Sequence, residues 1–286
     1  MTMKKILVLA LAAVMLIGCV AAFSSCSKYD MKFGKSFSAL DAQMDVLTAL
    51  NAKSIDVGVM DSVMAGYYMN KDTNYSNSLM IVEGLTLAEE QYGIAARKGS
   101  GFTKKINQAL IDLANDGTVD AIAAKYGLTS EICIDKNATV AELTDAEKAD
   151  WDYIVSQGKF IVGYTLFAPI AFEDNDGNLV GFDIELAKAV AAKLGIDVEF
   201  KIINWNTKEA ELSSKTIDCI WNGMTITDER KAEMEVSIPY MNNKQVAVIR
   251  KEDKELYKST ADMVDAIIGA EDGSAGMSCA VKEEEK

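Results

Sequence analysis

Short apolar runs alternate with helix-period segments along most of this chain, and that rhythm restricts it to an α/β fold. The run SFSA at 36–39 reads as a strand, 41–51 as a helix, SIDVGVMD at 54–61 as a strand and 62–70 as a helix. Strands that alternate with helices in this way build a parallel sheet with crossover helices. In open sheets of this kind the carboxyl ends of the strands face the ligand crevice, so Asp61, which closes its strand, is a candidate site residue. Its side chain could equally cap the helix that begins at Ser62.

A second such corner lies at 217–230, IDCIWNGMTITDER. Ile217, Cys219 and Trp221 with Ile220 form a largely buried strand. Gly223 permits a close backbone turn, and Thr227 is placed to cap a helix whose first turn holds Asp228 and Glu229. Thr225, Arg230 and backbone amides then surround one concavity. A guanidinium matches a carboxylate bidentately, so Arg230 pairs either with a ligand carboxylate or with Glu229 or Glu233 on its own helix.

The 286 residues suffice for two medium lobes with real cores. Lysines and arginines number 29 against 43 acids, and the surplus of acid disfavours nucleic acid and anionic headgroups as partners. The complete absence of His removes Ser-His triads, His bases and the commonest metal ligand together. No metal-ligand spacing and no cofactor motif appear, and Cys219 reads as a small core residue. Residues 1–18 carry Lys4 and Lys5 ahead of the apolar run 6–17, too short to span a bilayer and typical of a signal-peptide core. Residues 19–35 read as a polar tether.

Further along, a polar crossing at 71–78 leads to strand segments ending near Arg97 and Lys98, then to two helices with apolar positions at Ile106, Leu110 and Leu113 and at Val119, Ile122 and Tyr126. A linker at 129–158 contains the capping box Thr144–Glu147. A strand at 160–165, an aromatic loop around Pro169, an amphipathic helix ending at Gly195 and the strand VEFKII lead to Trp205. The strand QVAVIR, a charged crossing at 250–257, the strand AIIGAEDG and GSAG close the chain.

The stretches FIVGYTLFAPIAFEDNDGNLVGFDIELAKAVAAKLG, IDCIWNGMTITDER, SIPYMNNKQVAVIR and DGTVDAIAAKYGL resemble the polar amino-acid family of extracellular solute-binding proteins of ABC importers. The resemblance covers roughly 37–276, but DGTVDAIAAKYGL closes the polypeptide in that family and here precedes the segment resembling its beginning. It implies a two-lobed periplasmic-binding-protein-like fold, each lobe a mainly parallel sheet with flanking helices, in circularly permuted order. Lobe 2 would comprise 36–72 and 258–286, lobe 1 would comprise 79–250, and the hinge crossings would be 71–78 and 250–257. The ending Leu16-Ile17-Gly18-Cys19 resembles a lipobox, which implies lipid attachment at Cys19 and a cell-surface or periplasmic location on the membrane.

Residue by residue, the resemblance makes Phe167 and Trp205 aromatics that hold a ligand stem and Asn222 with Gly223 a backbone pair for the ligand ammonium. Thr225 and Arg230 match the carboxylate clamp, Ser274 a donor at a helix start and Asp61 the ammonium acceptor. Two positions depart from the family. Tyr164 stands where some members are acidic, and Glu271 stands where some are basic. A carboxylate at Glu271 facing the cleft favours neutral polar or cationic ligands over acidic ones. The implied function is capture of a free L-amino acid and its delivery to permease subunits by a monomer with no catalytic residues. A cyclohexadienyl-dehydratase-like enzyme of the same fold and a non-functional relic of tandem binding-protein genes are the alternatives.

Overall fold

The structure, a computed structural model, describes residues 29–70 and 74–282. The leader 1–18, Cys19, the first part of the tether and residues 71–73 of the expected crossing lie outside the described residues.

In chain order the elements begin with β1 (Ser36–Leu40), α1 (Gln43–Asn51), β2 (Val57–Asp61), α2 (Ser62–Asn70), α3 (Asn74–Ser78) and the long β3 (Leu79–Ala96). Helices α4 (Phe102–Asn115), α5 (Thr118–Tyr126) and α6 (Asp145–Ser156) follow, then β4 (Lys159–Tyr164), β5 (Phe172–Glu173), β6 (Leu179–Val180), α7 (Phe182–Leu194) and β7 (Asp197–Ile202). The remainder is α8 (Lys208–Ser213), β8 (Cys219–Thr225), α9 (Asp228–Glu233), β9 (Glu235–Val236), β10 (Met241–Arg250), β11 (Ile267–Glu271) and α10 (Ala275–Ala280).

The main sheet runs β1-β11-β2-β10-β3-β8-β4-β7, with β9 beside β3. Its two ends are parallel: β11 pairs with both β1 and β2, and β4 pairs with both β7 and β8. The middle is antiparallel, through β2–β10, β10–β3 and β3–β8. Two parallel blocks, lobe 2 around β11 and lobe 1 around β4, are therefore joined by β3 and β10. The sequence suggests two strand segments between Leu79 and Ala96, whereas one continuous strand forms, with register shifts where it passes from one block to the other. The described residues 74–78 of the first expected crossing, and the second expected crossing at 250–257, abut these strands, and the connection itself is paired strand.

Helix periodicity reads out in the core. Ile106, Leu110 and Leu113 of α4 are buried, as are Ile184, Ala187, Val190 and Ala191 of α7. The stretch 129–158 lies against lobe 1: the Cys133 amide donates to the Tyr240 carbonyl at 3.1 Å, and the Gly101 amide donates to the Glu147 carbonyl at 3.0 Å. Its helix α6 opens with the reciprocal Thr144–Glu147 capping box and stacks Trp151 on Phe102 at 5.9 Å. Arg97 fastens α6 to β8, donating to Asp150 and to Asp218 at 2.8 Å each.

The described segments nearest the two ends of the chain meet. Lys32 donates its amide to the Ala280 carbonyl and Lys282 donates its amide to the Asp30 carbonyl, both at 2.8 Å, around an antiparallel bridge between Met31 and Val281.

Candidate functional site

One cavity lies between the lobes, lined by nine of the ten ligand-binding positions expected from sequence. Lobe 1 contributes Phe167, Trp205, Asn222, Gly223, Thr225 and Arg230, and lobe 2 contributes Asp61, Glu271 and Ser274. The tenth, Tyr164, does not line it. That ring packs edge-on against Phe200 at 6.3 Å in a cluster with Ala171 and Ile184, because the alternation of β4 turns it away from the cleft.

The lobe 1 half follows from the corner after β8. All seven residues of β8 are buried. Gly223 does not turn the chain as the sequence suggests. It stays within the strand at φ 60°, and a Cβ there would lie 2.7 Å from the Phe167 ring and 3.1 Å from the Tyr92 ring, so only glycine lets these aromatics close on the strand. Its amide donates to Asp183 Oδ2 at 2.8 Å, which also accepts the Tyr240 hydroxyl at 2.8 Å. Burial pushes the Asp183 carboxyl up to about 7. Asn222 is held by Thr165, whose hydroxyl lies 2.7 Å from its side-chain amide.

Thr227 caps α9 as expected, accepting the Arg230 amide at 3.1 Å. The Arg230 guanidinium donates to the Thr225 carbonyl at 2.7 Å and reaches the Gly273 carbonyl at 3.4 Å, with Trp205 beneath it at 5.9 Å. Among the described residues no carboxylate lies within ion-pair distance of Arg230, which rules out the pairing with Glu229 or Glu233. Burial without such a partner lowers its pKa.

The lobe 2 half is acidic. Asp61 ends β2 at 5% exposure and is a hub rather than a helix cap. One oxygen accepts Tyr92 Oη at 2.7 Å and Gln245 Nε2 at 3.0 Å as well as the Asn243 amide, and the other accepts from Gln43. Burial first, then the charge of Glu90, pushes Asp61 up to about 8. Glu271 ends β11 at 4% exposure, and burial followed by the Asp61 charge pushes it likewise up to about 8. Ser274 accepts the Met277 amide at 3.2 Å as the cap of α10.

The lobes touch beside the cavity. Asn206 donates to Asp272 at 2.9 Å, Lys208 reaches the Gly273 carbonyl at 3.5 Å, and Phe172 packs on Tyr67 at 5.9 Å. Sequence reasoning missed Gln43 and Thr165 in the lining and the Tyr92, Asn243 and Gln245 shell around Asp61. Tyr92, Asn243 and Gln245 come together through the antiparallel β3–β10 pairing, which leaves no local signal. No metal-holding group of His, Cys, Asp and Glu occurs among the described residues.

The model of the bacterial extracellular solute-binding proteins, family 3, matches residues 160–278. The L-cystine-binding protein TcyJ of Escherichia coli is 32% identical over 41% of this chain and 44% of its own length. The arginine-binding extracellular protein ArtP of Bacillus subtilis is 34% identical over 41% of this chain and 45% of its own. The chain thus spans under half the length of these two curated relatives. A solved structure, the arginine-bound form of domain 1 from TmArgBP with a Phe57Trp mutation, is 37% identical over 40% of this chain and 93% of that one, at a TM-score of 0.31. Over residues 160–278, which run through β4, β8, β10 and β11, the chain thus matches the bacterial extracellular solute-binding proteins, family 3.

Proposed function

We propose that this protein captures a free polar L-amino acid between its lobes and delivers it, chemically unchanged, to the permease subunits of an ABC importer. The observation that carries the reading is the cavity with an unpaired guanidinium on one lobe and a buried carboxylate on the other. Arg230 with Thr225 takes the α-carboxylate. Asp61 takes the α-ammonium together with the backbone at Asn222 and Gly223, and Phe167 and Trp205 enclose the side chain. Contacts to both lobes make closure depend on the ligand, which is how a hinged fold signals occupancy.

On this reading the protein is an extracytoplasmic monomer, lipidated on Cys19, with the segment order of its family circularly permuted. The permutation is supported by β11 lying between β1 and β2, parallel to both, and by the bonds that join residues 30–32 to 280–282.

Calorimetric titration with the twenty amino acids, with recovery of the ligand, tests the function. At least one amino acid should bind and be recovered intact. Arg230→Ala should weaken it by about 2 to 5 kcal/mol, because a desolvated charge pair loses one member. Binding by Arg230→Ala within threefold of the parent, or turnover of the ligand, would overturn the reading.

A further inference from the structure

Glu271 is built differently from every other charged group in the cavity. Its Oε1 is buried and accepts no hydrogen bond, and among the described residues no cation lies within ion-pair distance of it. The two nearest candidates are occupied. Lys208 Nζ is spent on Glu209 at 3.0 Å and on the Trp205 carbonyl at 3.1 Å. Arg230 is held by the Thr225 and Gly273 carbonyls. Asp61, by contrast, accepts from four side chains. A buried carboxylate oxygen without a donor is costly, and the protein supplies none.

We infer that Glu271 reads the far end of the ligand's side chain and that the amino acid held here carries a cationic nitrogen at that end. This rests on the proposed enclosure of an amino acid by Arg230 and Asp61. Charge balance leads to the same place. Arg230 and Asp61 neutralise the two ends of a zwitterion, and among the cavity's lining residues Glu271 is the remaining charge. An ammonium or guanidinium supplies the missing donor and the missing positive charge together, whereas a neutral side chain leaves the carboxyl protonated in its pocket. The rise of Glu271 to about 8 is what the unliganded, unpaired state requires. An acidic side chain would meet two buried carboxyls, Asp61 and Glu271, and is rejected.

The test compares L-lysine, L-arginine, L-glutamine, L-glutamate and L-norleucine, the last keeping the lysine stem without its amine, by calorimetry on the full chain. Lysine or arginine should bind at least about tenfold more tightly than norleucine or glutamine, since a desolvated charge pair is worth a tenfold or more. Glu271→Gln should remove that preference, lowering the affinity for lysine or arginine at least about tenfold relative to that for norleucine and glutamine. Equal or tighter binding of glutamine, glutamate or norleucine by the parent overturns the inference, and this comparison needs no variant to fold. A loss by Glu271→Gln that is the same for every ligand overturns it too. Failure of every amino acid to bind would instead strike the enclosure itself, which separates the two conclusions.

Discussion

Lobe 1 brings its cation to the cleft on a strand, turn and helix contiguous in sequence, from Cys219 to Glu233, whereas lobe 2 brings Asp61 and Glu271 from strands near opposite ends of the chain. In lobe 1 the parallel neighbours of β4 both follow it within the chain; in lobe 2, β11 is inserted between β1 and β2, which long precede it. The difference shows in how each lobe treats a buried charge. Arg230 is held by two carbonyls and lines the cavity. The lobe 2 carboxyls sit at the ends of adjacent strands, and burial, aided at Asp61 by the charge of Glu90 and at Glu271 by that of Asp61, pushes both up to about 8. A locally encoded cation and a non-locally assembled pair of carboxyls therefore face each other, and the proposed zwitterion is held only if both constructions succeed.

The largest expected effect concerns lobe 1 alone. Arg97 pairs with Asp150 of α6 and Asp218 beside β8, at side-chain exposures of 10%, 17% and 6%, so these charges are largely desolvated. Arg97→Met leaves two carboxylates uncompensated and should lower unfolding stability by about 3 kcal/mol, the lower end for a broken buried pair because Asp150 keeps some solvent. Ligand affinity should stay within threefold, since Arg97 is not in the cavity lining. Urea denaturation measures the first and calorimetry the second. A loss under about 1 kcal/mol would mean that the stretch 129–158 is not fixed to lobe 1 through this arginine.

The next effect falls mainly on lobe 2. Asp61 and Glu271 at about 8, and Asp183 of lobe 1 at about 7, all lie above their ordinary values of 3.8, 4.5 and 3.8. Folded-state values raised in this way mean that the folded protein holds protons the unfolded chain releases. The stabilisation is complete below about pH 4 and is lost as pH rises through 7 to 8. Without ligand, the melting temperature should therefore fall between pH 5 and pH 8. A bound cationic amino acid should flatten that fall by pairing Asp61 and Glu271. A melting temperature that rises over this range without ligand would show the carboxyls ionised and already paired.

How far each lobe could be read from sequence follows the same division. In lobe 1, Thr227 as cap, Thr144 with Glu147 as capping box and the apolar face of α7 were legible because each is a pattern within one turn or one helix. Arg230 was found by its place in a strand, turn and helix corner, Asp61 by its place at a strand end, and the other cavity residues through the family resemblance. Tyr164 was misread for the opposite reason. A strand presents alternate residues to opposite faces, and matching a family position did not say which face β4 turns to the cleft. Gly223 was read as a turn when its φ of 60° is needed instead to admit Phe167 and Tyr92. The shell around Asp61 was invisible, since Tyr92, Asn243 and Gln245 converge only once β10 pairs with both β2 and β3, and Gln43 reaches it from the start of α1.

The smallest expected effect on binding tests whether lobe 2's assembly from separated segments matters to the finished site. Residues 30–32 and 280–282 already exchange two backbone hydrogen bonds of 2.8 Å around the Met31–Val281 bridge. A short Gly-Ser linker from Lys282 to Asp30, with new ends opened between Asn137 and Ala138, should therefore leave the native contacts almost unchanged. Asn137 and the residues around it lie on the exposed stretch between α5 and α6, where a break is best tolerated. Affinity for the amino acid should stay within about threefold, the range expected when no cavity group moves. Folding, in contrast, should accelerate, because pairing β11 with β1 and β2 no longer waits for closure of nearly the whole chain. Stopped-flow refolding beside calorimetry reads both quantities. If the rejoined protein refolds no faster than the parent while binding normally, the separation of lobe 2's segments carries no kinetic penalty. If it loses its ligand altogether, the contact between 30–32 and 280–282 is not a seam that can be closed, and the permuted order would have to be abandoned.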